Sequence, residues 1–247
     1  MPSEPQQQRT EDHAADGLKQ LGVFAKYWEP GTVKTRLSKS LGAEQAASLY
    51  HDFLSVTLRR CESIDARRML VYWPADRQRE MAELAGASWQ LQTQSPGDLG
   101  LRMRNFFRSA LQGRGSRVVL IGSDSPHVPL DRIDMAFERL RKVPVVVGPS
   151  EDGGYYLLGA TRLIPEIFVD IDWSSKRVWQ QTQDKLRATG TPYEALPIWY
   201  DIDELSDLER LSIQLSANQD NRDNIEGCDP HLKELAAKLV SVKKGLG

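Results

Sequence analysis

Cysteine is scarce. The 247 residues contain two, Cys61 and Cys228, far apart and in no CxxC or zinc-type spacing. A disulfide framework and a cysteine-ligated zinc site are therefore not expected, and a reducing, cytoplasmic setting is the simplest expectation. Long apolar runs are also missing. No stretch approaches the roughly 18 residues a membrane span requires, and the opening MPSEPQQQRTEDHAADG has no apolar centre of the kind a secretory signal carries. Neither sign of charge is in excess: 32 Lys and Arg face 34 Asp and Glu, for a net −2. No global field favours nucleic acid or an anionic membrane, so neither is an expected partner, and any attraction for phosphate has to be local. No two histidines stand at a metal-binding interval, and there is no internal repeat.

What is present is an alternation of short apolar runs with longer amphipathic ones. Strands are expected at 21–25, 69–73, 88–93, 117–123, 143–148, 154–160 and 194–200. Helices are expected at 43–63, 76–85, from Gly97 through Leu111, at 130–142, 175–188, from 204, and at 231–244. This order predicts an α/β fold with helices on both faces of a mostly parallel, mixed sheet. Residues 1–17 read as a disordered leader, 18–216 as one domain, and 217–247 as a polar hinge (217–228) with a terminal helix. Ligands of open α/β sheets bind beyond the carboxyl ends of the strands, and the chemically interesting stretches follow strands.

In FAKYWEPGTVKTRL (24–37), a strand gives way to a Pro30-Gly31 turn bearing Lys26, Lys34, Thr35 and Arg36. Such a loop can wrap a phosphate with cations and backbone N–H groups, or it is a solvated turn. It is not a Walker A loop, because Val33 stands where glycine must precede the lysine. In IGSDSPHVP (121–129), Asp124 arrives at the sheet's carboxyl edge, as a hard oxygen ligand for Mg²⁺ or Mn²⁺ or as a turn cap. His127 reads as a loop residue. In GPSEDGGYYLLG (148–159), a cluster of acids and glycines exceeds what a two-residue hairpin turn needs. In YDIDELSDLERL (200–211), extended backbone would put Asp201 and Asp203 on one side, where two carboxylates repel unless a cation or hydrogen bonds neutralise them. Asp207 falls in the first turn of the following helix and reads as structural. GDLGLRM (97–103) could admit a flat base against its glycines, or simply start a helix.

Taken in order, KYWEPGTVKTRL, GDLGLRM, IGSDSP, EDGGYYLLG and DIDELSDL resemble the GT-A-type transferases labelled radical-SAM/selenodomain-associated, also called arsenosugar-biosynthesis glycosyltransferases. The same order is similar, more distantly, to 2-phospholactate and molybdenum-cofactor guanylyltransferases. The resemblance spans roughly residues 20–212. It implies a nucleotide-diphospho-sugar-transferase fold of the Rossmann-like, three-layer α/β/α kind. It also implies that Lys26, Gly31, Lys34, Thr35 and Arg36 meet nucleotide phosphates, with Gly97, Asp98 and Gly100 near the base. Asp124, Asp201 and Asp203 would hold a divalent metal, while Asp152, Gly153, Gly154 and Tyr155 would line the acceptor pocket. The family's last motif tends to read Asp-x-Asp-Thr-Pro, where this chain has Glu204-Leu205, and Trp28 enlarges the phosphate loop. Trp173 is either an acceptor-stacking surface or core.

Lys34, Arg36 and Asp124 are the expected catalytic groups, because the difficulty in either transfer reaction is charge growing on a departing phosphate group. Three loop cations fit a nucleoside triphosphate, which puts nucleotidyl transfer to a small acceptor first. Glycosyl transfer from a nucleotide sugar comes next, followed by a nucleotide-binding protein without turnover, since no general base stands out. The pattern specifies no oligomeric state.

Overall fold

The computed structural model describes residues 17–113, 115–220 and 229–244. The expected leader, Gly17 apart, lies outside them, as do Cys228 and most of the expected hinge. Seven strands form one sheet in the order β3-β2-β1-β4-β6-β5-β7: β1 (Lys19–Lys26), β2 (Arg67–Trp73), β3 (Gln90–Thr93), β4 (Arg117–Gly122), β5 (Val145–Pro149), β6 (Tyr155–Ala160) and β7 (Tyr193–Ala195). All neighbours pair in parallel except β6, which runs antiparallel to both β4 and β5. The mixed, mostly parallel sheet matches the expected class.

Alternation along the strands sends side chains to opposite faces. Leu21, Val23, Leu70, Val119, Ile121 and Val146 pack beneath α2 (Ala43–Cys61), α3 (Gln78–Ala85) and α5 (Leu130–Arg139). Val71, Val118, Leu120, Val145 and Val147 face α4 (Leu99–Ala110) and α6 (Val178–Ala188). Burial on both faces explains why the strands read as continuous apolar runs.

A third cluster lies at one end. There α7 (Leu205–Asp220) and α8 (Pro230–Lys244) pack Leu208, Leu211, Leu232 and Leu235 against Leu49 and Phe53 of α2, with Leu37 just before the short α1 (Ser38–Leu41). The same cluster swallows Tyr200 and Ile202. Burying Ile202 fully, at about 1.5–3 kcal/mol, pins the segment that carries Asp201 and Asp203.

Most boundaries shift by one to three residues, and two regions differ more. The strand expected at 194–200 is ordered as β7 only to Ala195, with a single further bridge between Ser150 and Trp199. Pro197 cannot donate to the ladder, which interrupts the pairing. The helix from 205 runs on to Asp220, through the first four residues of the expected hinge. Its Leu208, Leu211 and Leu215 keep packing in the third cluster along that length.

Candidate active site

A cleft of about 670 Å³ opens over the carboxyl ends of β1, β3 and β4 and reaches the β5–β6 turn. It is of ordinary size for a small-molecule site. Lys26, Lys34, Thr35, Arg36, Gly97, Asp98, Asp124, Asp152, Gly154, Tyr155, Asp201 and Asp203 all line it.

Its centre is Lys34, whose ammonium group forms ion pairs with Asp124 Oδ1 and, at 3.2 Å, with Asp203 Oδ1. The lysine side chain is 1% exposed, whereas its partners are open to the cleft, Asp124 at 50% and Asp203 at 35%. Lys34 also has a φ of 47°, in the left-handed region that a residue with a side chain seldom enters. Burial works against its charge, but Asp124 and Asp203 outweigh that and hold the pKa above the ordinary lysine value. Arg36 stands 3.7 Å from Asp203 Oδ2 and remains largely exposed.

Local structure delivers these groups. The Tyr50 hydroxyl accepts from the Lys26 N–H at 3.0 Å and pairs with Ser123 Oγ at 2.7 Å, fastening the ends of β1 and β4 together. Burial raises the Tyr50 pKa to about 12, so it serves as a neutral strut. The chain after β7 then runs beside β4's end, with Ile202 N–H donating to the Asp124 carbonyl at 3.1 Å. With Ile202 in the core, Asp201 and Asp203 both turn toward the cleft. The Asp207 carboxylate accepts from the N–H groups of Asp203 (3.0 Å) and Glu204 (2.8 Å), capping α7 as a structural residue.

Asp201 is set apart from its neighbours. Its Oδ1 lies in a short hydrogen bond with Ser125 Oγ, and burial, reinforced by the nearby charge of Asp124, pushes its pKa up to about 7. Among the described residues no three His, Cys, Asp or Glu side chains gather closely enough to form a metal shell. His127 is buried between Trp199 and Tyr200, away from any ligand set, and desolvation lowers its pKa to about 3.

Three expected site residues, Gly31, Gly100 and Gly153, are not part of the cleft lining. Gly31 lies on an exposed turn outside the cleft lining. Gly100 is buried in α4, where a β-carbon would come within 2.5 Å of the Phe168 carbonyl and the Trp173 indole nitrogen. Gly153 has a φ of 89°, and a β-carbon there would strike the Lys176 carbonyl at 2.2 Å. These two glycines let the 168–176 loop approach, which brings Trp173 to the cleft, so Trp173 both packs in the core and lines the site. Asp152 Oδ1 accepts from Gly154 N–H at 2.9 Å and from Ser150 Oγ. Asp98 caps α4 by accepting from Leu101 N–H at 2.8 Å.

Sequence reasoning did not single out Gln94, Arg102, Tyr50, Ser123 or Ser150, all of which line the cleft. The position of Gln94 directly after β3 was the available signal for that residue. Arg102 lay inside the GDLGLRM stretch but carried no mark of its own.

Solved structures share this architecture. A candidate nucleotide-diphospho-sugar transferase from Desulfovibrio desulfuricans G20 superposes with a TM-score of 0.77 at 30% identity, over 92% of this chain and 98% of that one. A CMP:2-keto-3-deoxy-manno-octonic acid synthetase complexed with CTP gives 0.54 at 10% identity, over 81% and 99%. A cytidylyltransferase from Leptospira borgpetersenii gives 0.51 at 13% identity, over 92% and 96%. Residues 57–175 match the family described as an uncharacterized protein conserved in bacteria (DUF2064). Comparison with curated protein sequences finds no match.

The sheet order and its charged cleft therefore define an enzyme class, the GT-A-like transferases. Within it, the chain belongs to the same family as the Desulfovibrio protein. Among the described residues no helix is long and apolar enough to cross a membrane.

Proposed function

We propose that the cleft binds a nucleotide sugar through a divalent cation, Mg²⁺ or Mn²⁺, and transfers the sugar to a small acceptor. The observation that carries this reading is the Lys34–Asp124–Asp203 cluster, in which a buried cation holds two carboxylates that stay open to the cleft. Five carboxylates and four cations line the cleft, so a bound diphosphate needs further positive charge. Asp124 and Asp203 offer hard oxygens of the type Mg²⁺ prefers, and a shell of one or two carboxylates completed by phosphate oxygens and water is normal for that ion. The donor set thus fits the metal with two ligands. Asp201, expected beside them, is engaged by Ser125.

When bound, the metal would neutralise charge on the departing diphosphate. The protein's own part is positional. Lys34 keeps the two carboxylates at a fixed separation and limits their mutual repulsion, and Arg36 and Lys26 offer exposed donors to phosphate oxygens. Tyr50 and Ser123 hold the strand ends that carry Lys26 and Asp124. Asp152, fixed through one oxygen by Gly154 and Ser150, stands at the acceptor end, where its second oxygen can take a proton from an acceptor hydroxyl.

The preference for nucleotidyl transfer drawn from the loop rested on three cations free to meet a triphosphate. With Lys34 committed to carboxylates, the free positive charge suits a diphosphate better. Nucleotidyl transfer stays as the second reading because the CTP-bound synthetase and the cytidylyltransferase share this fold. Cys61, a free and buried thiol, is compatible with the reducing, cytoplasmic setting proposed from composition. Incubation with nucleotide sugars, nucleoside triphosphates and a cell extract, each with Mg²⁺, separates the cases. Released nucleoside diphosphate supports glycosyl transfer, released pyrophosphate supports the second reading, and release of neither counts against both.

A further inference from the structure

Arg102 is a long side chain held still at the other end of the cleft from Asp124 and Asp203. Its Nε donates to the Gly97 carbonyl at 2.8 Å, its guanidinium lies 5.2 Å from the centre of the Trp73 ring, and its Nη1 donates to Gln94 Oε1 at 3.3 Å. Gln94 is buried, and its amide nitrogen donates to the carbonyls of Ala25 (3.1 Å) and Val71 (2.9 Å). Both amide hydrogens are spent on β1 and β2, so the amide oxygen can only be presented to Arg102. Of the five guanidinium N–H groups, three are left for a ligand after these contacts.

The strand order sets the distance. Gln94 follows β3 and Asp124 follows β4, with β2 and β1 between them. Three strand spacings amount to about 14 Å, a span suited to a nucleoside laid across the sheet with its phosphates at Asp124. Near Arg102 the cleft lining includes the apolar Phe24, Leu99 and Met103 beside Asp98, and Leu99 is exposed to 43%. Apolar side chains beside an immobilised set of donors have the chemistry of a nucleobase site.

We propose that Arg102, positioned by Gln94, selects the nucleobase of the donor, accepting bases that present a carbonyl oxygen and rejecting adenine. The inference rests on the nucleotide reading of the cleft and adds base selection to it. A donor-only fork satisfies the two lone pairs of a carbonyl, or the adjacent O6 and N7 acceptors of guanine. On adenine each acceptor at those edges adjoins the N6 amino donor, which the fork opposes.

Calorimetric titration of the full chain in Mg²⁺ with UDP, dTDP, CDP, GDP and ADP tests this. The best keto-base diphosphate should bind about tenfold or more tightly than ADP. In Arg102→Met the gap should shrink to within about threefold, by loss at the keto nucleotide, with ADP affinity unchanged. Should the methionine variant melt lower, Arg102→Lys keeps the charge without the planar fork and should show the same collapse. Equal weakening of all five nucleotides would make Arg102 a phosphate contact and overturn base selection. ADP binding as tightly as the best partner of the unaltered protein would overturn it too. Failure of every diphosphate to bind would overturn the nucleotide reading itself.

Discussion

Two buried cations in this molecule have opposite surroundings. Arg60 donates to the carbonyls of Pro126 (2.6 Å) and Val128 (2.9 Å) and to Asp229 at 2.6 Å. Its side chain is 4% exposed and that of Asp229 14%. Asp229 in turn caps α8, accepting from His231 and Leu232 N–H. Every partner there is enclosed, and the cluster ties the C-terminal helix to the loop that follows Asp124. Lys34 is as deeply buried, yet its carboxylates face the cleft with oxygen atoms to spare. Closed satisfaction marks structure, whereas a buried cation holding open anions is the arrangement the proposed divalent-cation site calls for.

The comparison can be broken most severely at Arg60. Arg60→Met should cost about 3–5 kcal/mol, since it strands a buried carboxylate and two carbonyls, and denaturant melts would read the loss. A cost below 1 kcal/mol, on the order of an exposed pair, would erase the distinction. Asp124→Asn keeps the shape but removes a charged ligand. Transfer activity should fall by about 100-fold or more, with a smaller loss of stability than in Arg60→Met because Asp203 still pairs with Lys34, and retained activity would take Asp124 out of the site. Lys34→Met should destabilise less than Arg60→Met, by about 1–3 kcal/mol, because water can reach both orphaned carboxylates. An equal or larger loss would show that Lys34 is chiefly a folding element.

An effect confined to acid pH concerns His127. Its folded pKa, about 3, lies below the unfolded value of 6.5, so the unfolded chain binds the extra proton between those limits. Its contribution is complete above pH 6.5 and declines as pH falls toward 3. His127→Phe should flatten that part of the stability–pH curve, and an unchanged slope would mean that the imidazole is not buried neutral.

Much of this was legible in the sequence, for physical reasons. The β1 and β4 runs have no competing helical period, and their ends are marked by Lys26 and by Gly122-Ser123, so Asp124 could be placed at the sheet's edge from pattern alone. Asp201 and Asp203 could be assigned one side because extended backbone alternates. What could not be read were contacts between distant segments. Lys34 looked like a free loop cation, and only the approach of residues 124 and 203 makes it a buried one. Gly100 and Gly153 looked like binding glycines, yet their neighbours come from the 168–176 loop. Gln94 is polar and directly follows β3, and nothing local reveals that its amide is locked by β1 and β2.

The most direct measurement is the affinity of the full chain for a nucleoside diphosphate with and without Mn²⁺, in the unaltered protein and in Asp124→Asn. Affinity should rise about tenfold or more on adding the metal to the unaltered protein, and the variant should lose that gain while binding the metal-free nucleotide as before. Equal affinity in all four combinations would contradict a divalent cation held by Asp124 and Asp203.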